Sequence, residues 1–237
     1  MRLLLISNST NAGEPYLQYP MPAISDFLAP KKLKCMFIPF AGVTMTFDDY
    51  TEKVRARFEK IGHELQSIHH SVDPVGDIED AEAIVVGGGN TWHLLKMIQD
   101  AGLIDTVRRK VLNGTPYIGW SAGSNMACPT IRTTNDMPII QPENFHAFGL
   151  IPFQINPHYI DANPEGHAGE TREARIDEFI EVNRGMYVVG LREGSILRVE
   201  HEHLQLLGER PARLFKYGKT ASELNPGDDI DFLLSEK

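Results

Sequence analysis

Apolar residues in this chain gather in short unbroken runs, and between the runs they recur at helical spacing. Residues 2–7 (RLLLIS), 34–40 (KCMFIPF) and 83–86 (AIVV) lack polar alternation, as expected of strands covered on both faces. Residues 63–69 alternate and predict another strand. A brief apolar run at 116–118 precedes small residues, 122–127, that suit a helix. Phe47, Tyr50, Val54, Phe58 and Ile61 mark an amphipathic helix over 47–61, and shorter helical stretches fall at 21–28, 92–99 and 103–112. Residues 74–80 read as a connector.

Past residue 130 the pattern loosens. Residues 131–136 are polar, 138–141 form a brief apolar run, and 148–154 lead into 155–160. A loop with glycine, proline and histidine, 161–169, comes before a helix at 170–182 and a buried strand at 187–191 (YVVGL). Short antiparallel strands are predicted at 196–199, 204–207 and 213–217, and the acidic end, 225–237, reads as partly disordered or as an edge strand. Strands alternating with helices predict an α/β fold with a mostly parallel, doubly wound sheet and short antiparallel strands near the C-terminus. No repeat, linker or composition break divides the chain, so a single domain over 1–237 is expected, its tail after about residue 218 peripheral.

Composition narrows the classes of function. A hydrophobic content of 42% with 23% charged residues is ordinary for a soluble globular protein, and no apolar stretch approaches the length of a bilayer span. The opening run, Leu3 to Ile6, is too short and too soon polar for a signal peptide. Cys35 and Cys128 give no disulfide framework, so a reducing, cytoplasmic setting is expected. The formal charge of -9 argues against a nucleic-acid partner, and an acidic ligand would need local arginines.

Residues 117–125 (YIGWSAGSN) hold a Gly-x-Ser-x-Gly set between an expected strand and an expected helix. In that setting a sharp turn lifts the hydroxyl of Ser121 clear of the sheet as a nucleophile. The alternative is a glycine-rich turn with Ser121 as helix cap. Sites in doubly wound sheets collect at the carboxyl ends of strands, where both Ser121 and the run Gly87, Gly88, Gly89 fall.

A serine nucleophile needs a base and a group that orients the base. Nine histidines are available: His63, His69, His70, His93, His146, His158, His167, His201 and His203. His158 stands apart because it follows Asn156-Pro157 after an expected strand, late in the chain. His201 and His203 share a strand face with Glu200 and Glu202, and His69-His70 ends a strand. Both pairs read as solvated faces rather than metal sites. His93 follows the glycine turn, within reach of a site there. Two acids compete to orient the base: Asp136, which gives the chain order serine, acid, histidine, and Glu193, just past the strand YVVGL. The N–H of Ala122 supplies one oxyanion donor, and Gly88 or Gly89 a second. A dinucleotide fingerprint fails because Trp92 replaces its third glycine, and a phosphate loop ending at Gly218-Lys219-Thr220 fails because Arg213 replaces its first. No cysteine pair has metal-binding spacing, and neither metal nor cofactor is expected.

Seven segments together resemble one family: SNST at 7–10, IPFAGVT at 38–44, VGGGNT at 86–91, GWSAGSN at 119–125, PTIRTTNDMPI at 129–139, QINPH at 154–158 and EGHAGETRE at 165–173. They resemble peptidase E, the aspartyl dipeptidases, serine exopeptidases that split dipeptides with an amino-terminal aspartate. The matches run in order through about residue 193. The resemblance implies a sheet like that of class I glutamine amidotransferases, with Ser121 as nucleophile and His158 as base. For the third member it supports both Asp136 and Glu193.

The substrate so implied is a small Asp-X dipeptide, whose side-chain carboxylate demands a cation in a partly buried pocket. Arg172 and Arg132 are candidates, because a guanidinium meets a carboxylate in bidentate geometry, and Asn90 beside the glycine turn is a further substrate contact. The substrate ammonium calls for whichever of Asp136 and Glu193 is outside the triad, or for Glu170. A monomer or small homo-oligomer with no nucleic-acid or membrane partner completes the expectation. Rival readings are a serine peptidase acting on aspartate–arginine polymer, an esterase, and a non-catalytic protein that binds an anionic ligand.

Overall fold

The structure is a computed structural model that describes residues 1–28, 31–163, 165–166 and 168–235. Its first half comprises β1 (Arg2–Ile6), α1 (Met21–Leu28), β2 (Lys34–Ile38), α2 (Phe47–Phe58), β3 (Glu64–Ser67), α3 (Pro74–Asp80), β4 (Ala83–Val86), α4 (Thr91–Asp100), α5 (Ile104–Leu112), β5 (Tyr117–Trp120) and α6 (Ala122–Met126). There follow β6 (Gln154–Tyr159), α7 (Arg172–Val182), β7 (Tyr187–Arg192), β8 (Ile196–Glu200), β9 (His203–Leu207), β10 (Ala212–Lys216), β11 (Ser222–Leu224) and α8 (Phe232–Ser235).

The larger sheet has seven strands in the order β3-β2-β4-β5-β1-β8-β9. The first five run parallel, and β8 and β9 extend it antiparallel. Side chains of β1 alternate between two apolar layers, which is why its sequence is an unbroken apolar run. Leu3 and Leu5 join Val86, Leu94 and Met126 on one face, while Leu4 and Ile6 join Phe27, Phe37 and Trp120 on the other. The two free thiols are buried apart in these layers, Cys128 in the first and Cys35 in the second. Among the described residues no helix is long and apolar enough to cross a membrane.

The mixed α/β fold with a mostly parallel sheet is therefore as expected, but the later strands do not all join that sheet. β6 and β7 pair in parallel in a second, four-stranded sheet, order β11-β10-β7-β6, in which β10 and β11 are antiparallel. Residues 74–80, expected to be a connector, form α3. Asp73 caps it by accepting from Gly76 N–H, Pro74 opens it where its missing N–H is harmless, and Ile78 anchors it in the core. The expected strand at 63–69 is shorter, since 68–70 turn into a 3-10 helix. The acidic end contains β11's neighbour α8, whose Leu233 is buried, rather than an edge strand. Residues 236–237 of that end, and 164 and 167 of the 161–169 loop, lie outside the described residues.

Arg192 ties the second sheet together. Its side chain is 12% exposed, and the guanidinium reaches Asp161 at 2.9 Å, Glu223 at 2.7 and 3.0 Å, and the Pro211 carbonyl at 2.7 Å. This cation holds both carboxyls below the usual range. Carboxyls with depressed pKa values add stability above their unfolded values, about 4, and the contribution is lost as pH falls through the folded values. Urea unfolding measured from pH 7 down to 3 is expected to show stability falling as the solution is acidified. In Glu223→Gln stability at neutral pH is lower and the acid dependence shallower; an unchanged slope would refute the assignment.

Candidate active site

β5 delivers Ser121 to a sharp bend, with φ 52° and ψ −112°. A non-glycine residue there is strained. Its N–H bonds the Ile6 carbonyl at 3.0 Å, and its own carbonyl accepts from Ser124 N–H at 2.9 Å and Asn125 N–H at 3.1 Å, so the bend is pinned on both sides. The side chain makes no capping bond to α6. Both glycines of the motif are needed for close approach. A Cβ on Gly123 would lie 2.2 Å from the Val86 carbonyl oxygen, and one on Gly119 would lie 2.5 Å from the Gly123 carbonyl. Any side chain would push β4, β5 and α6 apart.

The imidazole comes from the other sheet. Pairing of β6 with β7 slips between Pro157 and Tyr159, and His158 lies within β6 rather than after it, with φ 53°. Such an irregularity takes a residue out of the ladder and re-aims its side chain. His158 Nε2 is 3.0 Å from Ser121 Oγ, and Nδ1 is 2.7 Å from Glu193 Oε1. A carboxylate accepts, so Nδ1 carries the proton and Nε2 is left to accept from the serine hydroxyl. Glu193 immediately follows β7, the parallel neighbour of the histidine strand. Chemically, His158 Nε2 can take the proton of Ser121, giving an imidazolium that the Glu193 carboxylate holds in place.

Asp136 does not face His158. Its Oδ2 accepts from Thr91 N–H at 2.8 Å, Thr91 Oγ1 at 2.6 Å and Thr134 Oγ1 at 3.0 Å, at the start of α4. Among the described residues Oδ1 has no donor. Asp136 and Arg172 both line the open cleft of about 950 Å³ that contains Ser121 and His158. Arg172 opens α7 and makes no ion pair among the described residues. Burial and Arg175 lower its pKa, and the Asp136 carboxylate opposes them.

Other candidates divide between cleft and surroundings. Gly88, Gly89 and Asn90 line the cleft. The Asn90 side chain caps α4 through His93 N–H at 3.0 Å and donates to the Met137 carbonyl at 2.9 Å. Ala122 is the first residue of α6, where N–H groups lack helical partners. Arg132, expected to meet the substrate carboxylate, is exposed, lies over Phe145 at 5.5 Å, and lines a neighbouring groove with Trp92 instead of the cleft. His93 Nδ1–H is spent on the Phe40 carbonyl at 2.6 Å. His201 sits in the β8–β9 turn, off any strand face, while His203 pairs with Asp231. His69 and His70 converge on Asp48, but Asp48 and His70 are 72% and 65% exposed and bond directly at 2.7 Å, a solvated hydrogen-bonded pair at the start of α2. Sequence reasoning missed Lys53, which lines the cleft with Nζ over the Tyr16 ring; on α2 its spacing signals only a polar helix face.

A family model, Peptidase family S51, matches residues 3–207. The chain belongs to peptidase family S51. It is 53% identical over 233 residues to Peptidase E of Nostoc sp., an alignment covering 98% of this chain and 96% of that one. It is 49% identical over 227 residues to Peptidase E of Shigella flexneri, covering 96% and 99%. Among solved structures, a peptidase from an acI-B1 Actinobacterium superposes with a TM-score of 0.70 at 17% identity, covering 97% of this chain and 96% of that one, a likeness of fold.

The bend at Ser121 has a measurable consequence in this S51 chain. Ser121→Gly relieves a positive φ that Ser121→Ala retains, and both lack the hydroxyl. Chemical denaturation is expected to find the glycine variant more stable than the alanine variant by about 1 kcal/mol, strain relief outweighing the extra chain entropy of glycine. The reverse order would mean that the bend carries no strain.

Proposed function

We propose that this S51 chain is a serine exopeptidase that hydrolyses dipeptides with an amino-terminal aspartate. The observation that carries the reading is the row Ser121–His158–Glu193, at 3.0 and 2.7 Å, in a cleft that also holds an arginine without an ion pair among the described residues. Ser121 Oγ attacks the peptide carbonyl as His158 Nε2 takes its proton, and Glu193 keeps the imidazole oriented and stabilises its charged form. N–H groups of Ala122 and of Gly88 or Gly89 receive the oxyanion. His158 then protonates the leaving amine. Water, activated by the same imidazole, clears the aspartyl ester.

Arg172 would hold the substrate's side-chain carboxylate, and the free Oδ1 of Asp136 its ammonium. This division assigns Glu193 to the triad and Asp136 to binding. The alternative sequence reading, Asp136 as orienter, lacks a contact with His158. The names of the relatives favour the same activity, since both curated ones are Peptidase E.

A panel of Asp-Leu, Asn-Leu and a short-chain ester tests the reading. Asp-Leu is expected to be cleaved and Asn-Leu spared, with Ser121→Ala inactive; turnover of the ester or Asn-Leu without Asp-Leu would reject the dipeptidase assignment. Steady-state kinetics of the two acids follow different courses. Glu193→Gln is expected to lower kcat roughly 10³- to 10⁴-fold at similar KM, while Asp136→Asn and Arg172→Ala chiefly raise KM, by roughly 10- to 100-fold. A kcat collapse in Asp136→Asn with Glu193→Gln near normal would reverse the assignment.

A further inference from the structure

Tyr50, on α2, is 4% exposed, and its hydroxyl lies between the ends of β4 and β5. It accepts from Trp120 Nε1 at 3.2 Å and from Tyr16 at 3.4 Å, and it donates to the Gly88 carbonyl at 2.8 Å. An indole N–H can only donate, so the phenol's single proton is directed at Gly88. Burial pushes the phenol up to about 12, which keeps that proton in place.

The carbonyl it grips belongs to the peptide joining Gly88 and Gly89. No peptide in the described chain is cis, so the Gly89 N–H points away from the Gly88 carbonyl and hence away from Tyr50. Of the neighbouring N–H groups, those of Gly87 and Asn90 are committed elsewhere, to Ile38 at 3.1 Å and to Ala41 at 2.9 Å. The turn lies against the nucleophile: a Cβ on Gly88 would be 3.0 Å from Ser121 Cβ and 2.9 Å from Trp120 Cδ1. A peptide between two glycines flips readily, because neither side has a Cβ to resist it.

We propose that Tyr50 is a positioning residue for the oxyanion hole: its hydroxyl locks the Gly88–Gly89 peptide so that the Gly89 N–H faces the developing oxyanion. Trp120, the residue before the nucleophile, fixes the hydroxyl in turn, so one buried relay aligns both sides of the hole. The inference rests on the serine-peptidase reading above and goes further by choosing Gly89 over Gly88 and naming what holds it.

Tyr50→Phe removes the donor and keeps the ring, which stacks edge-on against Phe37 at 5.2 Å. Two readouts are compared with the unmodified protein: Asp-Leu turnover, and the rate at which a fluorophosphonate probe phosphonylates Ser121, whose phosphoryl oxygen needs the same hole. Both kcat and the phosphonylation rate are expected to fall roughly 10- to 100-fold, with KM and the affinity for product aspartate held within about twofold. Trp120→Phe is expected to give a smaller loss in the same pattern, and it decides the matter if Tyr50→Phe does not fold. Unchanged kcat and phosphonylation, or losses confined to KM and aspartate affinity, would overturn the proposal. If the unmodified protein is phosphonylated but leaves Asp-Leu intact, the dipeptidase reading fails while the phosphonylation comparison still decides the role of Tyr50.

Discussion

One buried hydroxyl joins the two sheets where the cleft lies. Ser7, fully buried just past β1, accepts from His158 N–H at 3.0 Å and donates to the Leu191 carbonyl at 2.7 Å, while its own N–H bonds Ser195 at 3.1 Å. Ser121 belongs to the larger sheet and His158 and Glu193 to the smaller, so their alignment is set across this joint. Asn125 adds a bond to the Ile155 carbonyl at 2.7 Å, and Asn8 accepts from Gly194 N–H at 2.8 Å and from Tyr19 at 2.7 Å. Sliding one sheet on the other would strand several buried polar groups at once, each at a cost of about 1–3 kcal/mol. A joint made of apolar contacts alone would tolerate small slips; this one does not.

That rigidity explains how strain survives at the site. Ser121 and His158 both have positive φ, at 52° and 53°. Such residues persist only where their surroundings over-determine them. At Ser121 the surroundings are the Ile6, Ser124 and Asn125 backbone bonds, and at His158 they are Ser7 and the slipped pairing of β6 with β7. Each strained residue aims its side chain at the other across the joint.

The parallel half of the fold could be read from the chain because β1, β4 and β5 are buried on both faces and declare it as unbroken apolar runs. The pairing of β6 with β7 away from the main sheet could not, since the same kind of run serves either sheet and partner choice depends on contacts far apart in sequence. Ser121 and His158 carried local signatures, a glycine-flanked turn and an Asn-Pro-His segment. The choice between Asp136 and Glu193 carried none, because it turns on which acid lies opposite an imidazole folded in from elsewhere. Ser7 was visible as the end of the first expected strand and in the SNST segment, but nothing there marked it as the link between two sheets. Tyr50 looked like any apolar position of an amphipathic helix, its hydroxyl's partner 38 residues away.

Charge sharpens the reading of the cleft. A chain of net charge -9 would repel an acidic dipeptide at long range, but that field is screened beyond about 8–10 Å in physiological salt. On the proposed function, selection comes from groups inside the cleft, where Arg172 is partly desolvated and feels the Asp136 carboxylate. An amino-terminal aspartate bears its carboxylate and its ammonium on adjacent carbons, so a guanidinium and a carboxylate in one cleft can take both. An internal aspartate lacks the ammonium and would leave Asp136 Oδ1 facing an amide, whereas an amino-terminal asparagine would leave Arg172 without a countercharge. Each loss exposes a charged group that the correct substrate satisfies. On the proposed reading, restriction to the first residue of a short peptide then follows from two charges rather than from a closed pocket wall.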